Sequence, residues 1–354
     1  MSTAAIANLG MIFARHLSQN RTAVVDLSKS GDAAFTYDDL DRMANGVARG
    51  LRRRGLVPGD RVGVLALNRI EYLAIFFGAM RAGMAPAPIN IKLSGEIYDY
   101  VIRDSGAKIA FMEPDFAHLT PSGLPTVAFG PEFEAFLDPG PFDPVVPAPG
   151  DVALHPYTSG STGRPKGVLL DHAGQLWGPS TAAWMRPDGV YLVAAPLYHK
   201  NALMVTKSAF FTGARIVLMP RFDARTYLAA IERFRPDTIS GVPAMIAMLL
   251  LERETIARTD LTSVKEVSMG SAPASPSLLK QVRETFNGPT ITIQYGVTEA
   301  GPACSARIPT ACRGRLAPAA RLWQGARSCW SRTRIIPPIR AARIQASFGS
   351  GTPA

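Results

Sequence analysis

Residues 157–167, YTSGSTGRPKG, place six hydroxyl or glycine residues in a row (Thr158, Ser159, Gly160, Ser161, Thr162, Gly163) and set Lys166 three positions behind them. Ordering such a loop costs backbone entropy and buries little apolar surface, so a ligand normally has to offset it. Crowded backbone N–H groups and hydroxyls suit an anion, and a mobile ammonium adds a point charge that suits phosphate. The pattern points to a polyphosphate. Its spacing differs from the common nucleotide loop G-x-x-x-x-G-K-[ST], because Lys166 follows Gly163 by three positions and Gly167 comes next. The segment is therefore a different kind of phosphate loop, or a solvated Gly/Ser turn between two strands.

The chain around this loop has 354 residues, 47% hydrophobic and 19% charged, which gives room for about two globular domains. Its apolar runs, such as ISGVPAMIAMLLLE, fall short of the roughly 20 residues that cross a bilayer. The opening residues 1–20 carry no basic region ahead of their apolar patch. There Ile6, Leu9, Ile12, Phe13 and Leu17 fall at helical spacing, which predicts an amphipathic first helix rather than a signal peptide.

A net charge of +10 would suggest an acidic partner such as nucleic acid, but nearly all of it sits in residues 303–354, which hold nine arginines and no lysine, aspartate or glutamate. The body before that tail carries only +1. All three cysteines (Cys304, Cys312, Cys329) also lie in the tail, so the body is cysteine-free and compatible with a cytoplasmic location. The arginines of RGRLAPAARLWQGARS follow no helical or alternating period, so no nucleic-acid partner is expected. No pattern in the sequence sets an oligomeric state.

The elements that must position the loop are legible as an alternation. Between residues 36 and 111, TYDDLDRMANGVARGLRRRGL reads as a helix with Thr36 as its cap and Leu40, Ala44, Val47, Ala48 and Leu51 on one face, and GDRVGVLAL as a buried strand. A helix over about 71–82, the strand APAPI, the helix SGEIYDYVIRDSG and the strand AKIAFM follow. Residues 114–149 contain nine prolines and little periodicity, which predicts a long surface connection. Beyond the loop, GVYLVAAP, ARIVLMP, DTISGV, VKEVSMG and TITIQYG read as strands. Helices NALMVTKSAFF, DARTYLAAIERF, PAMIAMLLLERE and SPSLLKQVRETF lie between them. Alternating strands and helices imply an α/β fold with parallel sheets covered on both faces.

YTSGSTGRPKGVLLDH, PLYHKNA, GSAP and YGVTEAGP, in this order and at this spacing, resemble the AMP-forming acyl-CoA synthetases within the wider group of adenylate-forming enzymes. The resemblance covers roughly residues 6–302. It implies two similar αβαβα subdomains of the adenylate-forming large domain. It also implies a two-step reaction in which a carboxylic acid, a fatty acid being the expected class, attacks ATP to form an acyl-adenylate and a thiol, CoA or a carrier-borne one, then displaces AMP. Carried over residue by residue, Thr158, Ser159, Gly160, Ser161, Thr162, Gly163 and Lys166 would hold the β- and γ-phosphates. Tyr295 and Gly296 would lie against adenine, Thr298 would contact the α-phosphate and Glu299 would hold Mg²⁺, whose preference is for hard oxygen ligands. Gly270, Ser271 and Ala272, lacking bulky side chains, would let backbone approach the adenine. His199 would stand at the mouth of the acyl pocket, or be a satisfied buried histidine. His172 reads as a helix-start residue, and Trp177, Trp184, Met245 and Met248 as core or tunnel lining.

The resemblance also implies a ribose-binding aspartate in a TGD motif, a hinge and a mobile domain bearing an adenylating lysine, none of which is found here. The expectation is an incomplete AMP-binding domain over 1–302 and a disordered, arginine-rich tail over 303–354 from a frameshifted or truncated product, with a third subdomain and the C-terminal domain absent. The alternative is a non-catalytic remnant that binds nucleotide or acyl ligand without turnover.

Overall fold

The computed structural model describes residues 6–29, 31–158, 164–180, 185–296, 298 and 304–308, all within the unit Met1–Gly314. The fold is α/β, as the alternation predicts. An eight-stranded sheet runs in the order Cys304–Ile308, Thr290–Tyr295, Glu266–Gly270, Thr238–Gly241, Val190–Val193, Arg215–Leu218, Thr22–Asp26, Ala33–Thr36. Its inner strands are parallel, and only the two edge strands pair antiparallel. A four-stranded parallel sheet runs Ala85–Pro88, Arg61–Leu65, Ala107–Met112, Thr126–Ala128.

Successive strand residues face opposite sides of the larger sheet. Tyr191, Val193, Ile216 and Leu218 join the core that contains Phe13, Phe77 and the helix Lys200–Thr212. Leu192, Val217, Ile239, Val267 and Ile291 join the core beneath the helices Ala224–Phe234, Pro243–Leu251 and Pro276–Thr285. Both faces are thus covered, which is why these strands read as near-continuous apolar runs.

The helix Tyr37–Arg53 begins where Thr36 and Asp39 form a reciprocal capping box, the cap expected from sequence. It packs on Ile70–Arg81, a helix buried along its whole length. Gly78 makes the close approach possible, since a Cβ there would lie 2.5 Å from the Ala44 carbonyl oxygen and 2.7 Å from Val47 Cβ. The Arg81 guanidinium, itself buried, is neutralised by Asp41 at 2.8 Å and bonded by Asn45.

The opening segment corrects its expectation. In place of an amphipathic helix it forms two short 3-10 turns, Leu9–Met11 and Ala14–His16. Asn8 competes for local backbone by accepting from Gly10 N–H and donates to the carbonyls of Met80 and Val145. Gly10 presses on the second helix so closely that a Cβ would meet the Phe77 carbonyl oxygen at 2.6 Å. Residues 114–149 likewise hold more than a connection: a 3-10 helix Pro114–Leu119, the sheet strand Thr126–Ala128, and the helix Pro131–Phe136, whose Phe133 and Phe136 are buried. The strand Cys304–Ile308 lies inside the stretch that showed no period, pairing antiparallel with Thr290–Tyr295. The rest of the arginine-rich tail lies outside the described residues.

Candidate active site

The strand Val190–Val193 is flanked by Arg215–Leu218 on one side and Thr238–Gly241 on the other, so the chain leaves it one way and crosses back the other way. In open α/β sheets ligands bind at such a switch point, beyond the carboxyl ends of the strands. Three strands, Thr238–Gly241, Glu266–Gly270 and Thr290–Tyr295, end at this edge beside it, and the last two lead into Gly270–Ser271–Ala272 and into Tyr295, Gly296 and Thr298.

Gly270 closes its strand opposite Gln294. A Cβ on Gly270 would meet Asn201 Nδ2 and Gln294 Cβ at 3.4 Å, ordinary contact, so the protein's own packing does not demand a glycine here. Ser271 follows at φ 68°, a left-handed conformation that costs a non-glycine residue about 1–2 kcal/mol. Ala272 is exposed beside it. Tyr295 ends the last strand, Gly296 is exposed, and Thr298 is half-buried. Glu299 lies outside the described residues, among which no cluster of three or more potential metal ligands occurs.

His199 caps the helix Lys200–Thr212 and is solvent-exposed, so it is not a satisfied buried histidine. Its ring packs edge-on against Tyr198 at 4.6 Å between centroids. Surrounding protein and the Lys92 ammonium push its pKa below the usual value. One residue into the helix, Asn201 reaches the Gly241 carbonyl at 3.5 Å, tying the helix start to the sheet edge.

The hydroxyl-rich loop is carried by a hairpin in which Thr158 faces Lys166 and Tyr157 faces Gly167. Thr158 is half-buried and Lys166 exposed. Ser159, Gly160, Ser161, Thr162 and Gly163 lie outside the described residues. Gly167 leaves room for the buried His155 ring, which a Cβ would strike at Nε2.

The remaining candidates separate. His172 starts the helix His172–Ser180 as expected, and its Nδ1 accepts the Leu9 N–H at 2.9 Å, which pins the opening segment. Trp177 and Met248 are exposed, 42% and 54%, and so are not core residues. Met245 is half-buried and packs with both cores. Trp184 lies outside the described residues.

Sequence reasoning missed Asn68. Its buried carboxamide donates to the carbonyls of Ala195 and Met219 at 2.9 and 3.0 Å and accepts from Leu197 N–H at 2.7 Å. It thereby fixes the segment that leads into Tyr198 and His199. An Asn before the Ile70–Arg81 helix reads locally as a turn residue, and only a contact across more than 120 residues reveals its work.

Comparison with known proteins places this site in a class. The chain belongs to the AMP-binding enzyme family, whose pattern it matches over residues 13–325. It is 35% identical over 294 residues to a feruloyl-CoA synthase of Amycolatopsis sp, an alignment covering 81% of this chain and 58% of that protein. It is 31% identical over 295 residues to the fatty acid–[acyl-carrier-protein] ligase ScoC of Streptomyces coeruleorubidus, covering 78% of this chain and 56% of that one. The chain thus spans little more than half the length of these curated relatives. Among solved structures it resembles the inhibitor-bound N-terminal domain of FACL13 from Mycobacterium tuberculosis (TM-score 0.76, 26% identity, 84% of this chain and 77% of that one). It also resembles the anthranilate CoA ligase AuaEII in complex with anthranoyl-AMP (TM-score 0.77, 26% identity, 88% of this chain and 62% of that one).

Proposed function

We propose that this chain carries the nucleotide and acyl half-sites of an AMP-forming acid–thiol ligase. The supporting observation is the convergence of Asn201, Gly270, Ser271 and Tyr295 on one carboxyl edge at the sheet's switch point. In the first step a carboxylate oxygen of the acid bonds to the α-phosphorus of ATP, the α–β bridging P–O bond breaks, and pyrophosphate leaves. In the second a thiol sulfur, that of CoA, bonds to the acyl carbon as the carbon–oxygen bond to AMP breaks. Catalysis of this kind rests on positioning and on compensating charge. Lys166 and Thr158, with Ser159, Gly160, Ser161, Thr162 and Gly163, hold the β- and γ-phosphates. Tyr295, Gly296 and the Gly270–Ser271–Ala272 turn receive adenine, and Thr298 contacts the α-phosphate. Glu299 would hold Mg²⁺, which would supply positive charge to offset that of the phosphates.

The relatives' names give two acid classes to compare, the aryl acid of a feruloyl-CoA synthase and the fatty acid of a fatty acid–[acyl-carrier-protein] ligase. Ile239, Val267, Met269 and Ile291 point to one core, so Thr238, Ser240, Glu266, Ser268, Thr292 and Gln294 face the other side of the sheet, and all are buried. Among them Ser240 donates to the Leu192 carbonyl and Thr292 to the Glu266 carboxylate, so these groups have partners within the protein.

Turnover by the 354-residue chain alone should be slow. Residues 303–354 contain no lysine and no aspartate, so these residues themselves supply neither the adenylating lysine nor the ribose-binding carboxylate that the resemblance implies. Removing one preorganised charge-stabilising group costs roughly 10²- to 10³-fold in rate. The test is pyrophosphate release with ATP, Mg²⁺ and matched hydroxyaryl and straight-chain acids, for this chain and for one whose reading frame is restored after Pro302. Activity only in the restored chain, and lost in Lys166→Ala, is expected. Comparable turnover by the two chains would overthrow the argument from the tail. Nucleotide binding without release by either would favour a non-catalytic binding protein.

A further inference from the structure

Both legs of the phosphate-loop hairpin rest on one helix. Just before the loop, the Tyr157 hydroxyl donates to the Asp104 carboxylate at 2.7 Å. Just after it, the Arg164 guanidinium lies over the Tyr100 ring, 5.3 Å from its centroid. Tyr100 and Asp104 belong to the helix Gly95–Ser105, and residues four apart on a helix are neighbours on the same face. A single helix face therefore grips the hairpin at the entry and the exit of the loop, while the pairing of Thr158 with Lys166 closes the hairpin between the two grips.

The chemistry of each grip suits a fixed anchor. A hydroxyl donating to a carboxylate is a charge-assisted bond, stronger than its neutral counterpart. Burial, and the bond to Asp104 itself, push the Tyr157 phenol well above its usual pKa, so the proton stays on the donor. The His155 ring lies 5.2 Å from the Tyr157 ring, which confines the phenol from its other side. Asp104 is exposed and outside the core, whereas Tyr100 is half-buried and, like Tyr157, packs against the core of Leu65, Tyr98 and Ile102.

We propose that Asp104 and Tyr100 are positioning residues for nucleotide triphosphate, holding the hairpin so that Lys166 and Thr158 are preorganised for the β- and γ-phosphates. The inference rests on the phosphate role given above to Lys166. Hairpin legs held in place before the ligand arrives lose less entropy on binding, and affinity rises accordingly.

Binding of Mg²⁺-ATP and of AMP to the full chain, measured by calorimetry, separates positioning from mere support. Asp104→Ala and Tyr157→Phe are each expected to weaken ATP about tenfold, the equivalent of about 1.4 kcal/mol, and to leave AMP within about twofold. The double variant is expected to be no weaker than either single one, since both remove the same bond. Asp104→Asn, whose amide oxygen still accepts from the phenol, is expected to recover most of the loss. Equal loss for ATP and AMP, additive losses in the double variant, or no rescue by Asp104→Asn would overturn the proposal. Lys166→Ala provides the control: if it weakens ATP while Asp104→Ala does not, only the positioning role falls. If Lys166→Ala leaves ATP unchanged, the phosphate reading and the positioning role fall together.

Discussion

Replacing Asn68 with alanine tests how the protein holds the segment leading to His199. The Asn68 side chain is 1% exposed and makes three hydrogen bonds of 2.7 to 3.0 Å to backbone groups of Ala195, Leu197 and Met219. Alanine leaves two carbonyls and one N–H without these partners in a buried setting, where each such loss costs about 1–3 kcal/mol. Partial relaxation and water entry reduce the sum, so a loss of about 3–5 kcal/mol is expected, a large share of the roughly 5–15 kcal/mol that stabilises a typical domain. Urea unfolding followed by tryptophan fluorescence reads it as a lower midpoint with an unchanged slope. Asn68→Asp keeps the acceptor for Leu197 N–H but turns an oxygen toward two carbonyls, so it should be no more stable than Asn68→Ala. A loss under about 1 kcal/mol for alanine, or wild-type stability for aspartate, would refute the reasoning.

Gly78→Ala should destabilise the chain by about 1–3 kcal/mol in the same assay, because the new methyl meets Ala44 backbone and Val47 at under 3 Å; an unchanged midpoint would show that the two helices can separate at little cost. Burial lowers His155 and His172 to about 4, so the unfolded chain takes up protons near pH 6.5 that the folded chain refuses until about 4. Their contribution is present above pH 6.5 and lost as pH falls from 6.5 to 4, which a denaturation midpoint series should show as a fall that His172→Gln makes shallower. Lys207, buried with Gln175 as its hydrogen-bond partner, is lowered to about 7, burial being the main cause. The unfolded chain therefore holds the extra proton between pH 7 and 10.5, stability should rise with pH across that window, and Lys207→Met should remove the rise.

Strand positions were legible wherever an apolar run was bounded by glycine or proline. AKIAFM is the strand Ala107–Met112 residue for residue, and TITIQY matches Thr290–Tyr295. Thr36 announced its helix because the capping box is a local signal. Elements set by distant contacts were not legible. Asn8 and Gly10 convert an amphipathic period into 3-10 turns by bonding and pressing against the Ile70–Arg81 helix. Thr126–Ala128 is only three residues long and owes its strand conformation to pairing with Ala107–Met112. The site divided in the same way. Short motifs such as GSAP and YGVTE place their residues at a strand end by chain order alone, whereas Asn68, Tyr100 and Asp104 act across folds of the chain and carry no local mark. Trp177 and Met248 misled because helical spacing of large apolar residues does not say which face meets solvent.

The central claim is that nucleotide and acid meet along one carboxyl edge. The most direct measurement is calorimetric titration of the chain with a stable sulfamoyl analogue of a hydroxyaryl acyl-adenylate, beside AMP and the free acid. Because one molecule then fills both half-sites without a second loss of translational freedom, it should bind at least about 100-fold more tightly than either fragment. An analogue that binds no more tightly than AMP would contradict the account, for the acyl half-site would then lie elsewhere or not exist.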